Sequence, residues 1–481
     1  MSDEVKIKSA EESHVESATP INVLAVEVTG IAPIPAYSRV QKSAIENFTF
    51  WASCNSVLPT FALGILASTI YDVGFWDGFW TIIFFNIACS LCVALFATFG
   101  ASTGLRQMVI TRYSFGFYGT MLIALINIVI QLGWSTVNVV VGGQVLNGIN
   151  SNFPIWAGVV VISLLTTVIS LYGYHIIHKY ERYAWIPVIL VFLITFGTTV
   201  HYWDTSAPSL SSPLAGILSF GASVFGFGAG WTMMAADYTV FQPADSSKFK
   251  IAFFTFLGNF VPIVFLEIVG LGAASATVNK PDWNQDTAGA MIAAILNDTV
   301  GTGFAGFLLV LLGLSIIANN VPNDYSVGLS MQLIGKNLHK VNRAWWTVIG
   351  AAIYLTVSIL SINTFNSVLD NFLLVIAYIL GPYVAIVGAE HVVFRNRSFE
   401  NYDPEIWQSP EKLPLGLAAI FSFGMGILGM FLGMAETYYT GVIALDISEP
   451  YGGDVGFELS FLFALASYLI TRSVEKKLTG R

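Results

Sequence analysis

Twelve apolar runs of about 18 to 25 residues recur between Phe48 and Arg472, and that recurrence limits what the chain can become. A helix rises about 1.5 Å per residue, so each run is long enough to cross roughly 30 Å of hydrocarbon. The runs are Phe48–Ile70, Trp76–Gly100, Phe117–Leu146, Pro154–Tyr174, Tyr183–Tyr202, Leu214–Phe241, Ile251–Ala274, Gly303–Ser326, Trp345–Ile362, Phe365–Gly388, Leu415–Glu436 and Val455–Arg472. They are apolar on every face, whereas a membrane barrel would show ten-residue segments of alternating polarity. An all-α polytopic membrane protein with 12 transmembrane helices is therefore expected. Charged residues make up only 11% of the chain, against the roughly 25% of a soluble domain.

Lys and Arg resist translocation and accumulate in short cytoplasmic loops. With the N-terminus inside, the arm holds Lys6, Lys8, Arg39 and Lys42, and the even-numbered loops hold Arg106, Arg112, Lys179, Arg182, Lys248, Lys250, Lys336, Lys340, Arg343, Arg395, Arg397 and Lys412. Arg472, Lys476, Lys477 and Arg481 close the chain, and of 21 basic residues only Lys280 falls on the other side. A missed span would invert every later loop, so this sorting supports both the count and cytoplasmic termini. The formal charge of −9 comes largely from acidic loops and the arm, and implies no nucleic-acid partner.

Residues 1–47 form a polar arm with no apolar core of signal-peptide type and are expected to be disordered in the cytoplasm. Residues 48–472 form the membrane domain and residues 473–481 a cytoplasmic tail. Cys54, Cys89 and Cys92 all fall within spans and read as small apolar packing residues, with no metal-ligand spacing. The stretch Ala288–Leu296 is too short to span and is expected to lie at the interface as an amphipathic helix.

Helix-breaking residues concentrate in two spans. The first has Asn55 and Pro59, and the sixth reads Gly221-Ala-Ser-Val-Phe-Gly226-Phe-Gly228-Ala-Gly230-Trp231. A broken helix at membrane depth needs protein partners or a water-filled cavity for its freed backbone groups. Spans 1 and 6 hold matching places in two five-helix halves, at about 48–202 and 214–388, with extra helices at about 415–472. That is the pattern of an inverted repeat with a midplane site. The glycine run has a plainer reading as close helix packing through small residues. It is no dinucleotide fingerprint, because no strand precedes it.

Span 3 carries Asn127, Gln131, Trp134 and Asn138 at separations of four, three and four, along one stripe of an otherwise aliphatic helix. Such amides can be interhelical hydrogen-bond partners, yet a stripe that includes an indole favours a ligand surface. Span 8 reads Asn319-Asn-Val-Pro-Asn-Asp-Tyr325, with Asn320, Asn323 and Asp324 read as sharing a face beside a proline that removes a backbone bond. A flat heteroaromatic ligand suits these groups. Trp134 and Trp231 lie mid-span, unlike Trp76, Trp80 and Trp345 in the interfacial belts. They can sandwich a ring, and base–aromatic stacking is worth on the order of 1–3 kcal/mol per base. Asn138, Asn320 and Asn323 can pair with the ring edge, because a carboxamide presents a donor and an acceptor together.

Intramembrane acids are functional candidates by default, and here they are Asp237, Glu267, Asp324 and Asp370. A sodium site between spans 1 and 8 wants hydroxyl and carbonyl oxygens, but Ile316–Asn323 has no hydroxyl and Ser315 stands alone. A proton is therefore favoured over sodium, with Asp324 and Glu267 as its candidate carriers. Either acid could instead be a paired structural charge. No metal site and no other cofactor is implied.

At these residues the chain resembles the nucleobase–cation symporter family, in its fungal purine-cytosine permease branch. The specific pieces are Gly133-Trp-Ser-Thr-Val-Asn138, Gly226-Phe-Gly-Ala-Gly-Trp231 and Asn319-Asn-Val-Pro-Asn-Asp-Tyr325. The resemblance implies a LeuT-type fold of five-plus-five inverted repeats with two C-terminal helices, and proton symport of cytosine, adenine, guanine and hypoxanthine across the plasma membrane. It matches Trp134 and Trp231 to stacking tryptophans, and Asn138, Asn320 and Asn323 to ligand amides. Ser56 is matched to a substrate-contacting serine, with Ser53 and Thr60 as alternatives in register. A neighbouring branch carries vitamin B6, so pyridoxine or allantoin remains a rival substrate. A sensor that binds without transport is the rival from another class. A membrane enzyme is least favoured, since no nucleophile–base pair, metal cluster or phosphate loop is present. The oligomeric state stays open, a homo-oligomer included.

Overall fold

The computed structural model describes residues 30–172, 174–209, 212–335, 337–450 and 452–481 and, at 172–181, 366–368 and 370, the backbone alone. The arm before Gly30 and the Asp370 side chain therefore lie outside what is described. Hydrocarbon offers no partner for a bare backbone group, so apolar runs must satisfy their amides within the segment as helices. The helices are α1 (Ile45–Asn55), α2 (Leu58–Thr69), α3 (Phe75–Thr103), α4 (Gln107–Ile149), α5 (Ile155–Tyr172), α6 (Tyr174–Thr199), α7 (Pro213–Ala229) and α8 (Lys248–Ala276). They continue as α9 (Ala288–Val300), α10 (Thr302–Met331), α11 (Arg343–Ser361), α12 (Phe365–Ala389), α13 (Leu417–Gly433), α14 (Val442–Ile447) and α15 (Gly456–Thr479). A two-residue hairpin, β1 (Ala435–Glu436) with β2 (Tyr439–Thr440), pairs Ala435 opposite Thr440.

Among the described residues nine helices are long and apolar enough to cross a membrane, and the bent pair α1 and α2 makes a tenth. The shorter apolar helices α5 and α13 take the places of spans 4 and 11, which completes twelve. The core is apolar, as in a soluble protein, but much of the exterior is apolar too. Phe84, Leu95, Val129, Leu164, Val357 and Leu360 are exposed, while Asn55, Asn86, Asn127, Gln131, Asn138 and Asn259 are buried. Exposed apolar area on this scale fits a lipid-facing belt.

Two groups of four spans form the frame. In the first, α8 packs on α1, α2 and α3, and α3 packs on α7; in the second, α4, α5, α10 and α11 pack on one another. The first group holds spans 1, 2, 6 and 7 and the second spans 3, 4, 8 and 9, so each group takes matching members from the two halves. The helices α13 and α15 pair with each other and lean on α12. Close approach of α8 to the first span depends on glycine. A Cβ on Gly258 would press on the Phe48 carbonyl, and one on Gly270 or Gly64 would overlap the carbonyls of Phe61 and Glu267.

The two breaks differ from their sequence signals. Span 1, where the signal is weak, bends by 58° between α1 and α2. Its freed carbonyls find protein partners, since Asn319 Nδ2 donates to Cys54 O and Thr60 Oγ1 donates to Asn55 O at 2.7 Å. In span 6, Gly221, Gly226 and Gly228 stay inside the α-helix. A Cβ there would strike the Phe85 ring, the Leu373 carbonyl and the Cys89 thiol, so these glycines serve close packing. Only from Gly230 does the span tighten into two 3-10 turns, Gly230–Met233 and Ala235–Tyr238. A further sharp turn sits at Gly116 in α4, whose φ of 68° allows the first helical piece to swing into span 3.

Two segments depart from expectation. The described part of the arm is packed: Ile31 and Ile34 are buried, Ile34 N donates to Gly104 O at 2.9 Å, and Arg39 Nε donates to Ile34 O at 2.8 Å. The α9 helix does not float at an interface. It buries Met291, Ile292, Ile295 and Leu296 and packs on α4, α10 and α2, because its apolar face finds protein first. Lys280, the one basic residue on the acidic side, is paired with Asp298 at 3.0 Å, and that hydrogen bond raises its pKa above the usual lysine value.

Candidate substrate site

The 3-10 turn after α7 carries Trp231, and the polar stripe of α4 carries Trp134; both lean into the gap between the two groups. They are 7% and 8% exposed and line one enclosed cavity together with Gln131, Phe227, Gly230 and Asn319. The Trp134 ring is held edge-on by Phe227 at 5.2 Å and Phe372 at 5.4 Å, and Trp231 by Trp51 at 5.6 Å. The cavity measures about 10 Å³, room for about one water. A planar ligand therefore enters only after α4 and α10 part from α1, α2 and α7.

The amides are organised around that cavity. Asn138 Nδ2 donates to Asn319 Oδ1 at 2.5 Å and to Asn320 Oδ1 at 3.4 Å, and Asn319 in turn holds the break in span 1. Gln131 Nε2 donates to Asn127 Oδ1 at 2.9 Å, and Asn127 Nδ2 donates to Ser330 and Ser326 at 2.9 and 3.1 Å. Asn127 thus serves to join α4 to α10. The Gln131 and Asn138 carbonyls, both polar atoms of Asn323 and the Ser56 hydroxyl are buried with no hydrogen-bond partner among the described residues. Each such atom costs on the order of 1–3 kcal/mol, so this concentration marks capacity for an external hydrogen-bonding partner.

Of the predicted binding residues, Trp134 and Trp231 line the cavity itself. Asn138 stands one hydrogen bond behind Asn319, and Asn320 shares that network. Ser56 sits buried at the break and Asn323 is buried in α10, and neither lines the cavity. The shared face read for Asn320, Asn323 and Asp324 does not hold as one ligand surface. Asp324 points toward α4, α5 and α11, where Ser135, Ser170 and Tyr354 hydroxyls donate to it, each at 3.4 Å. Sequence reasoning passed over Asn319 and Phe227 as lining groups. Asn319 stands four residues before Asn323, one helical turn away, and that spacing was the available signal.

The other acids have separate settings. Asp237 Oδ1 accepts from Gln107 N at 2.7 Å and so caps the start of α4. Glu267 Oε2 accepts from Asn86 Nδ2 at 2.6 Å, and its Oε1 has no hydrogen-bond partner among the described residues. Among the described residues no group of three or more His, Cys, Asp or Glu gathers as a metal site.

Comparison with known proteins follows this geometry. A family model described as permease for cytosine/purines, uracil, thiamine, allantoin matches residues 33–404. The purine-cytosine permease fcyB of Emericella nidulans is 42% identical over 466 residues, which covers 95% of this chain and 90% of that protein. The purine-cytosine permease FCY21 of Saccharomyces cerevisiae is 39% identical over 471 residues, 95% of this chain and 88% of that one. Among solved structures, Mhp1, a nucleobase-cation-symport-1 family transporter in a closed conformation with bromovinylhydantoin bound, superposes with a TM-score of 0.74 at 15% identity over 95% of this chain and 97% of its own. The fold is thus the LeuT type.

Proposed function

Since the chain belongs to the family of permeases for cytosine/purines, uracil, thiamine and allantoin, we propose that it imports purine bases and cytosine by alternating access, coupled to a proton. Its relatives are permeases, and the chain is a membrane transporter rather than an enzyme. The observation that carries the substrate reading is the meeting of Trp134 and Trp231 at one cavity edged by carboxamides. Indoles supply stacking faces for any base, and amides supply the paired donor and acceptor that read its edge. When the groups part, Trp134, Trp231, Asn138, Asn320, Asn323 and Ser56 bind the base, with Gln131 and Asn319 beside them.

The coupling ion is a proton rather than sodium, carried by Asp324 or Glu267. The hydroxyls around Asp324, on Ser135, Ser170 and Tyr354, are directed at its carboxyl group rather than left as neutral oxygens for sodium. Both termini face the cytoplasm and the protein works in the plasma membrane, a reading supported by the sorting of 20 basic residues to one face out of 21.

Uptake of labelled cytosine and hypoxanthine into cells lacking other base carriers tests this. Both bases accumulate, dissipation of the proton gradient abolishes the accumulation, and excess adenine or guanine competes while pyridoxine and allantoin do not. Competition by pyridoxine alone would move the substrate to the vitamin B6 class. Binding without counterflow in proteoliposomes would make the chain a receptor.

A further inference from the structure

An indole N–H can only donate, and this fixes the direction of the Asn55 and Asn259 hydrogen bonds that follow from Trp231. Trp231 Nε1 donates to Asn55 Oδ1 at 2.9 Å, which leaves the Asn55 amide NH2 to donate to Asn259 Oδ1 at 2.9 Å. Asn259 Nδ2 then donates to Ser90 Oγ at 3.0 Å. Ser90 Oγ meets Cys89 Sγ at 4.0 Å, and Cys89 donates to Asn86 Oδ1 at 3.5 Å. Asn86 Nδ2 closes the series on Glu267 Oε2 at 2.6 Å. One continuous polar line thus crosses α1, α3 and α8 and joins the cavity wall to a buried carboxyl. All its members beyond Trp231 are fully buried, where polar groups are costly unless each is satisfied.

Glu267 at the far end is the one carboxyl of the line, and Cys89 is its other titratable member. Of the elements packed against α8, α1 carries Glu46 and Cys54, α2 carries no titratable group, and α3 carries Asp77, Cys89 and Cys92. On α6, Arg182 pairs with Glu46 and Tyr183 is exposed; His201 and Tyr202 lie beyond its end, and Lys248 and Lys250 begin α8. Tyr174, His175, His178, Lys179, Tyr180 and Glu181 fall on the first part of α6, of which the backbone alone is described. Lys250 precedes Glu267 by 17 residues, about 25 Å of helix. Among the described residues, Cys89 is the one titratable neighbour that feels Glu267, and no cation pairs with it. Asp324 differs, because its three hydroxyl partners lie on α4, α5 and α11 and none of them lines the cavity.

We infer that Glu267 binds the coupling proton and that Asn86, Cys89, Ser90, Asn259 and Asn55 transmit its protonation state to the Trp231 indole. The inference rests on the base-transport reading above and adds to it the path of coupling. The proton goes to Oε1, the oxygen without a partner among the described residues, so Oε2 still accepts from Asn86 but as a neutral carbonyl. A charge-assisted hydrogen bond is roughly twice as strong as a neutral one, so neutralisation slackens the hold on Asn86 and, through Cys89, Ser90, Asn259 and Asn55, on the Trp231 indole. Asn55, Asn259, Ser90, Cys89 and Asn86 are positioning residues in this scheme.

The test is the pH dependence of labelled-cytosine binding to the purified full-length chain. Linkage is reciprocal, so a proton that favours the base-binding state is favoured by the base. Wild-type Kd is expected to weaken with rising pH by up to about tenfold per unit, the limit for one linked proton. Glu267→Gln, standing in for the protonated acid, keeps the wild type's acid-side affinity and changes by less than about twofold per unit. Asn259→Ala leaves the acid in place, cuts the line and flattens the profile to the same degree. A wild-type slope in Glu267→Gln overturns the assignment of the acid, and a wild-type slope in Asn259→Ala overturns the path. Should Glu267→Gln not fold, Asn259→Ala and Asn55→Ala decide, since neither alters the acid. Wild-type binding of cytosine without any pH dependence would refute the coupling alone. No cytosine binding at any pH would remove the substrate reading and this inference with it.

Discussion

The two four-span groups face the same cavity and contribute similar side chains, but they are held together differently. In the group built on α8, main chain lies against main chain at Gly64, Gly258 and Gly270, and the buried amides run in one line from Trp231 to Glu267. In the group built on α4 and α10, local side-chain pairs do the joining: Asn127 with Ser326 and Ser330, Asn138 with Asn319. A continuous line can pass a change from one end to the other, whereas separate pairs can each break alone. The difference teaches that the count of buried amides says little about their role, and their connectivity says a good deal.

The largest test of this contrast is Gly64→Ala. A Cβ there overlaps the Glu267 carbonyl oxygen, backbone that cannot rotate away, so overpacking should cost about 3 kcal/mol or more. The melting temperature of the purified protein reads this directly, and an unchanged value would mean that α2 and α8 are not locked. Next comes stacking. Trp231→Ala and Trp134→Ala should each weaken cytosine binding by about 5- to 150-fold, from the 1–3 kcal/mol of a stacked base. Trp231→Ala should be the worse of the two, because it also strips Asn55 of its donor; equal losses would argue that the line of amides is inert. The smallest effect belongs to Asn127→Ala. Interhelical hydrogen bonds in membranes average about 0.6 kcal/mol, so base affinity should change by less than about threefold while stability drops slightly. A large loss of uptake there would move Asn127 from joining helices into binding.

Much of the architecture was legible in the sequence, because lipid forces each span to declare itself as a long apolar run and basic residues mark the sides of the membrane. The indoles at 134 and 231 were legible for a related reason, since a tryptophan at mid-span departs from the interfacial habit of that residue. Other features were not. The run from Gly221 to Gly230 reads as a break, yet three of its glycines admit Phe85, Leu373 and Cys89 against an intact helix. The bend that does occur, at Ser56 and Val57, is sustained by the local Thr60 and by Asn319, a partner that only the fold brings near. Asn319 and Asn320 look equivalent in a one-dimensional pattern, and a rotation of about 100° per residue sends one to the cavity wall and the other behind it. The line through Asn86, Asn259 and Asn55 joins three spans, so no local spacing announces it.

The glycine contacts along α8 have a mechanical consequence. Gly258 meets the half of span 1 before its bend, and Gly64 and Gly270 join the half after it. The long unbroken helix therefore lies alongside the bent one like a splint across an elbow. Neither half can swing by itself without prising main chain from main chain, so the bend is a fixed angle rather than a joint. Motion that admits a solute must then occur as sliding or rocking at the seam where Trp231 faces Trp134, with the splinted unit travelling whole.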